Sequence, residues 1–223
     1  MKAIILAGGR GRRLKPITDH IPKSLIPLNN IPIIEWQIRY LKNFGVKEII
    51  VCSGYKSEML ENFLAMKNNF NLKIKFSREK TPLGTGGAIR QAGSAITEKS
   101  FFVLNGDVIT NIDLYKLAKK PNSIASIELK TKFGIMQTMG DRVIEFKEKR
   151  TISDVWMNAG IYHLQKEALT DLPKSGDIEK TVFPDYAKKG ILNTVKFKDV
   201  TWYSIDSFKD MEECSLEIDS IIK

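Results

Sequence analysis

The sequence predicts an α/β protein with a largely parallel central sheet. Three observations carry that reading. Short β-branched runs alternate with stretches of helical periodicity, the run Phe101–Asn105 is apolar almost throughout as in strands covered on both faces, and a glycine-rich loop follows the first strand. Lys2–Ala7 is that first strand. Pro32 opens a helix in which Ile34, Ile38 and Leu41 recur at helical spacing, and Gly45 stops it. Glu48–Cys52 is the second strand, and Ser57 is placed to cap a helix running to about Lys67, with Leu60, Phe63 and Leu64 inward. Leu72–Phe76 is extended, and the loop Thr81–Gly87 leads into a further helix. Phe101–Asn105 ends at a polar turn, Gly106-Asp107. From Ser123 onward extended pieces dominate, with a hairpin expected at Gly140-Asp141 between Ile135–Met139 and Arg142–Phe146. Phe208, Met211, Ser215, Ile218 and Ile222, spaced 3-4-3-4, predict a closing amphipathic helix.

The chain has 223 residues, 43% of them hydrophobic and 27% charged, and no Pro/Gly linker divides it, so a single domain spanning 1–223 is expected. Its apolar runs are too short to span a bilayer and its amino terminus has no signal-peptide order, which points to a cytoplasmic protein with no membrane partner. Cys52 and Cys214 stand beside apolar neighbours outside any CxxC pattern and read as packing residues. The charge of +9 is spread along the chain without interleaved aromatic and basic motifs, so a nucleic-acid partner is not expected. An anionic small substrate accounts for the charge equally well.

The loop after the first strand reads Gly8-Gly9-Arg10-Gly11-Arg12-Arg13-Leu14, followed by Pro22-Lys23-Ser24. A dinucleotide fingerprint fails because Leu14 stands where its third glycine is needed, and a Walker A loop fails because the glycines close on Arg-Arg-Leu. What remains is a loop whose glycines let backbone N–H groups approach phosphate oxygens while Arg13 and Lys23 supply charge, or else a mobile turn with solvated arginines.

LAGGRGRRLKPITDHIPKSLIPL, over residues 6–28, resembles the sugar-phosphate nucleotidyltransferase signature GxGxRLxPxTxxxPKxxxP. The resemblance continues through PLGTGGAI (82–89), NGD (105–107), FGI (133–135), EK (148–149) and NAGIY (158–162), in the family's order and over essentially the whole chain. It implies a Rossmann-like three-layer α/β/α fold with a mixed, mainly parallel sheet. It further implies Mg²⁺-dependent joining of a nucleoside triphosphate to a sugar 1-phosphate with release of pyrophosphate. The style leans toward guanylyltransferases acting on mannose 1-phosphate, or glucose-1-phosphate nucleotidyltransferases. A non-catalytic nucleotide-sugar-binding regulatory subunit is the alternative, a homo-oligomer is left open, and no carboxy-terminal left-handed β-helix domain is expected.

By the same resemblance, Arg13 holds the β- and γ-phosphates and Lys23 neutralises the α-phosphate, making them the catalytic pair. Leu6, Ala7, Gly8, Gly9 and Gly11 line the nucleotide. Gly84 and Thr85 of PLGTGGAI face the base, and Glu79 accepts from its edge. Gly134, Glu148, Lys149 and Asn158 take the sugar phosphate. Asp107 at the carboxyl end of a buried strand suits Mg²⁺, which prefers one or two carboxylates. No protein nucleophile is required, and His20 and His163 read as surface or packing residues.

Two departures stand out. Arg150 replaces the proline that usually follows EK. The late segment WxDxGTPxD aligns with Trp202–Asp210 so that Ser204 takes the metal aspartate's place. Asp206, two residues on and therefore on the same side of an extended chain, is expected as the second Mg²⁺ ligand, with capping of the closing helix as its competing role.

Overall fold

A computed structural model describes residues 1–131, 133–148 and 151–221, with only the backbone described at Thr151 and Ser153. The first half contains β1 (Lys2–Leu6), α1 (Ile17–His20), β2 (Pro27–Leu28), β3 (Ile31–Pro32), α2 (Ile33–Asn43), β4 (Glu48–Ser53), α3 (Ser57–Met66) and β5 (Lys73–Arg78). It continues through α4 (Gly84–Ala92), β6 (Ser100–Asn105), β7 (Val108–Thr110) and α5 (Leu114–Leu117). The second half contains β8 (Ser123–Lys130), β9 (Ile135–Met139), β10 (Arg142–Lys147), β11 (Thr151–Gln165), α6 (Ala168–Asp171), α7 (Val182–Lys188), β12 (Asn193–Phe197), β13 (Trp202–Ser204) and α8 (Phe208–Ile221).

Seven strands form the central sheet in the order β12-β8-β11-β6-β1-β4-β5. β11 alone runs antiparallel to its neighbours β6 and β8; every other pairing is parallel. Strand alternation sorts side chains into two cores. Ala3, Ile5, Ile49, Val51, Phe102 and Leu104 point to the face covered by α2, α3 and α8. Ile4, Ile50, Cys52, Phe101, Val103 and Tyr162 point to the face covered by α4, α6 and α7. The expected three layers follow from a sheet whose central strands are apolar on both sides.

Gly45 (φ 71) ends α2 and Gly140 (φ 58) turns the β9–β10 hairpin, both where expected. Two helices differ from the sequence reading. Ser57 makes no capping bond, because the left-handed residue before the helix is Lys56 and Ser57 is already helical. The buried stripe of α8 is Asp210, Cys214, Ile218 and Ile221, while Phe208 is exposed and Met211 and Ser215 only flank it. The rotation has a local cause, since Asp210 turns inward to accept hydrogen bonds from the Asp206 N–H and the Ser207 hydroxyl. Ile222, Lys149 and Arg150 lie outside the described residues. Cys52 and Cys214 are buried free thiols, His163 is buried against the Lys120 carbonyl, and His20 is exposed.

Candidate active site

The glycine-rich loop leaves β1 at the sheet's carboxyl edge and is pinned where Leu14 buries into the core. Gly11 adopts φ +60, and a β-carbon there would crowd Lys23 and Thr18 at 3.0 Å. Only glycine allows that turn to sit against the Lys23 stem. Thr18 donates its hydroxyl to the Gly11 carbonyl at 3.1 Å, and Tyr55 donates to the Thr18 carbonyl at 2.9 Å.

Opposite the loop, the turn after β6 carries Asp107. Gly106 approaches β1 so closely that a β-carbon would lie 2.3 Å from the Leu6 carbonyl oxygen, to which its own N–H donates at 3.0 Å. From below, Gln37 of α2, 1% exposed, donates through Nε2 to the Asn105 and Val108 carbonyls at 2.8 and 3.0 Å. Both ends of the turn are thus clamped. β13 pairs antiparallel with β7, Ser204 opposite Val108, and the Ile205 N–H donates to the Asp107 carbonyl at 3.0 Å. That pairing delivers Asp206 beside Asp107 from almost a hundred positions further along the chain.

The two carboxylates share one cation: Lys23 Nζ donates to Asp107 Oδ2 at 2.7 Å and to Asp206 Oδ1 at 2.8 Å. Arg13 also pairs with Asp206 at 2.7 Å, and the Ser204 hydroxyl donates to its Oδ2 at 3.2 Å. Burial raises the Asp206 pKa, but Lys23, Arg13 and Ser204 together hold the carboxyl below the usual range. The helix-capping role expected in competition falls to Ser207, whose hydroxyl accepts from the Asp210 N–H at 3.2 Å.

Three cavities meet here. One of about 260 Å³ is lined by Gly9, Gly11, Arg13, Lys23, Asp107 and Asp206. A second of about 330 Å³ shares Leu6, Gly9, Gly106 and Asp107 with it and extends to Gly8, Glu79, Gly84 and Thr85. A third of about 600 Å³ shares Asp206 and runs between Met157, Trp202 and Glu213. Ala7 lines the first cavity. Glu79 faces Gly8, where a β-carbon would strike Glu79 Oε1 at 2.4 Å. Burial raises the Glu79 carboxyl, opposed by the hydrogen bond that its Oε2 accepts from the Leu83 N–H.

PLGTGGAI departs from expectation in how it uses its glycines. Gly84, Gly86 and Gly87 begin helix α4, and β-carbons on them would meet the Pro173–Gly176 segment at 2.6, 3.0 and 2.8 Å. Their missing side chains admit that segment, and Pro82, Gly84, Thr85 and Ala88 of the eight residues line the second cavity. The Thr85 hydroxyl is committed internally, donating to Glu179 Oε2 at 2.5 Å and accepting from the Ile178 N–H at 3.0 Å. Gly134, Glu148 and Asn158 line none of the three cavities. Gly134 packs against Phe146 and Glu148 at the hairpin base, whereas Asn158 is held on β11 by Tyr162 and Gly160. Lys149 is not described.

Sequence reasoning missed Gln37, Tyr162, Asp177 and Glu179. Asn105 and Asp177 line the second cavity, and the Asn105 carbonyl oxygen of the side chain is buried without a partner among the described residues. Ser24 Oγ in the first cavity is likewise buried and unpartnered. Gly176-Asp177, a turn pair after a proline, was the one local signal for that loop.

The fit to a hard dication rests on the Asp107–Asp206 pair, two hard oxygen donors already converging on a single positive charge. No group of three or more His, Cys, Asp or Glu side chains suited to a metal occurs among the described residues, so water and phosphate oxygens would complete the shell, as is usual for Mg²⁺. Also among the described residues, no helix is long and apolar enough to cross a membrane.

Residues 2–220 match the family model described as nucleotidyl transferase. The chain belongs to that family. Among relatives of this nucleotidyltransferase, the D-glycero-α-D-manno-heptose 1-phosphate guanylyltransferase of Campylobacter jejuni is 38% identical over 84% of this chain and 87% of its own length. The mannose-1-phosphate guanylyltransferase catalytic subunit beta of Danio rerio is 34% identical over 94% of this chain but 62% of its own length. The crystal structure of HddC from Yersinia pseudotuberculosis complexed with GMP-PN superposes with a TM-score of 0.77 at 27% identity, covering 97% of this chain and 98% of that one.

Proposed function

We propose that this nucleotidyltransferase joins GTP to a manno-configured sugar 1-phosphate, with D-glycero-α-D-manno-heptose 1-phosphate the first candidate and mannose 1-phosphate the second. The observation that carries the reading is the three-lobed cleft with Lys23, Asp107 and Asp206 at its junction. Relatives named for these two sugars and for guanylyl transfer supply the substrate class.

Guanine presents N1–H and N2–H side by side, a pair of donors that one carboxylate can accept, and Glu79 in the second cavity offers that acceptor. A β-carbon at Gly8 would displace the Glu79 carboxylate from its present place in the lobe. Leu6, Ala7, Gly9 and Gly11 give the nucleotide a wall of backbone, while Gly84 and Thr85 close the far side. Arg13 and Lys23 place two cations on the triphosphate. Asp107 and Asp206 would hold Mg²⁺, which when bound neutralises the charge shared by the two reacting phosphates.

A phosphate oxygen of the sugar 1-phosphate attacks the α-phosphorus in line, and the bond from that phosphorus to the bridging oxygen breaks. Pyrophosphate leaves with the bonding pair, and no protein group is modified. Positioning and charge neutralisation are the whole task of the chain. The third cavity, beyond Asp206, gives the sugar room on one side of the acceptor phosphate. On this reading Gly134, Glu148 and Asn158 contact the sugar phosphate from outside the three cavity walls, Asn158 from β11 and Gly134 and Glu148 from the hairpin base.

The test is pyrophosphate release with four nucleoside triphosphates against a panel of sugar 1-phosphates. GTP with a manno-configured sugar should be fastest, and release should require both substrates and Mg²⁺. Equal triphosphate consumption without sugar phosphate would make the protein a hydrolase and end the proposal.

A further inference from the structure

Behind the cleft, a line of hydrogen-bonded side chains connects α4 to β11. Thr85 Oγ1 donates to Glu179 Oε2 at 2.5 Å, and Tyr162 Oη donates to Glu179 Oε1 at 3.0 Å. Asn158 Nδ2 donates to Tyr162 Oη at 3.0 Å, and the Gly160 N–H donates to Asn158 Oδ1 at 2.8 Å. Tyr162 is fully buried. None of these groups except Asn158 and Thr85 enters the substrate scheme above.

Two groups set the directions of the bonds: the Glu179 carboxylate at one end and the Gly160 N–H, which can only donate, at the other. An ionised carboxylate has no hydrogen to give, so Tyr162 must direct its only O–H at Glu179 and can offer Asn158 nothing but a lone pair. Burial and the nearby Glu179 charge both push the Tyr162 phenol upward, so it stays protonated and remains a donor. Asn158 thus turns its NH₂ toward Tyr162 and its carbonyl toward the Gly160 N–H, and the two contacts demand the same orientation. An amide has two N–H hydrogens and two carbonyl lone pairs, and this arrangement consumes one of each. One donor and one acceptor of known orientation are left.

We propose that Tyr162 and Glu179 are positioning residues for the transferase reaction: with the Gly160 N–H they hold the Asn158 amide at both ends, so that its remaining N–H and lone pair meet the sugar 1-phosphate in one arrangement. The proposal rests on the reading of Asn158 as a sugar-phosphate contact. It also explains why Thr85 keeps its hydroxyl turned away from the base lobe. That hydroxyl anchors the opposite oxygen of Glu179, and the carboxylate is held from both ends.

Steady-state kinetics separate the two claims, using GTP with D-glycero-α-D-manno-heptose 1-phosphate and with mannose 1-phosphate. Asn158→Ala should raise the KM for the sugar phosphate tenfold or more. Tyr162→Phe, which keeps the packed ring, should raise it about fivefold, the scale of one lost hydrogen bond, and leave the KM for GTP within about twofold. Glu179→Gln, of the same size but able to donate, no longer forces the direction of the line and should raise the sugar-phosphate KM by about threefold even if the Tyr162 variant folds poorly. A merely structural role would move both KM values and the melting temperature together. Should Asn158→Ala raise the sugar-phosphate KM while Tyr162→Phe and Glu179→Gln leave it unchanged, or shift the GTP value equally, the positioning role is overturned and the contact stands. Should Asn158→Ala change neither KM, the contact itself falls and the positioning role with it.

Discussion

Gly106 and Gly140 both sit in tight turns beside a strand end, and their surroundings could hardly differ more. A β-carbon at Gly106 would strike the Leu6 carbonyl at 2.3 Å, whereas one at Gly140 would meet nothing within 4 Å. The first turn is tied to β1, to Gln37 and to β13. The second caps a two-stranded hairpin whose Met136, Met139, Ile144 and Phe146 are all more than half exposed. The turn at the junction of the cavities is held from several directions, while the hairpin is held chiefly by its own strand pairing. On the function proposed above, the rigid turn suits the alignment of two mutually repelling phosphates, which tolerates little positional error.

The comparison is most sharply broken at Lys23. Lys23→Ala should lower turnover by roughly 10³-fold and Arg13→Ala by roughly 10²-fold, since Lys23 faces both carboxylates and Arg13 only one; the melting temperature should stay near wild type for exposed Arg13 and fall for Lys23, whose loss leaves two carboxylates facing each other. Pyrophosphate release and a thermal melt check the pair. Asp206→Asn keeps the size but loses the charge, and should cost about tenfold in rate at saturating Mg²⁺ with a raised Mg²⁺ requirement. An unchanged Mg²⁺ titration would leave Asp107 as the only carboxylate on the ion.

Gly106→Ala should destabilise by about 3 kcal/mol, the upper range for overpacking, against about 1 kcal/mol for Gly140→Ala, where only the left-handed φ objects. Denaturant melts of the two variants measure that contrast directly. Glu48, at the start of β4, sharpens it from the opposite edge of the sheet. The Lys75 hydrogen bond, opposed by burial and aided by Lys73 and Lys2, holds its carboxyl at about 2 instead of 4.5. A carboxyl depressed on folding stabilises fully above its ordinary value and loses that contribution as pH falls through the folded one. Glu48→Gln should therefore lower Tm at pH 7, with the gap to wild type closing as pH falls from 4.5 toward 2. The smallest effect belongs to the hairpin, where Met139→Gln should change stability by less than about 0.5 kcal/mol.

The layers and most elements were legible because their signals are local: alternation in the strands, Pro32 and Gly45 around α2, and Gly140-Asp141 at the hairpin. The glycine-rich loop and the Gly106-Asp107 turn were legible as elements because each is a contiguous run. Asp206 was reachable only by noticing that Ser204 could not supply a carboxylate, and its place beside Lys23 depends on a strand pairing that no short window reveals. Gln37 and Glu179 were invisible for the same reason. Each acts through bonds to residues 68 and 17 or more positions away. The glycines of PLGTGGAI misled in a different way, since close approach by another loop and close approach by a ligand demand the same missing side chain.

β11 crosses both regions, and its register slips twice, between Ile152 and Trp156 and again between Asn158 and Tyr162. Asp154 (φ 61) and Gly160 (φ 72) sit in those interruptions. Mechanically the strand is a jointed rod, because each bulge lets it bend and twist without breaking the pairing on either side. Load arriving from the hairpin is taken up at the first joint, and what passes it is taken up at the second, before the pairing with β6 that carries Asn105. Asn158 rides on the short link between the joints, so the backbone that carries it can adjust without disturbing the pairing of β11 with β6.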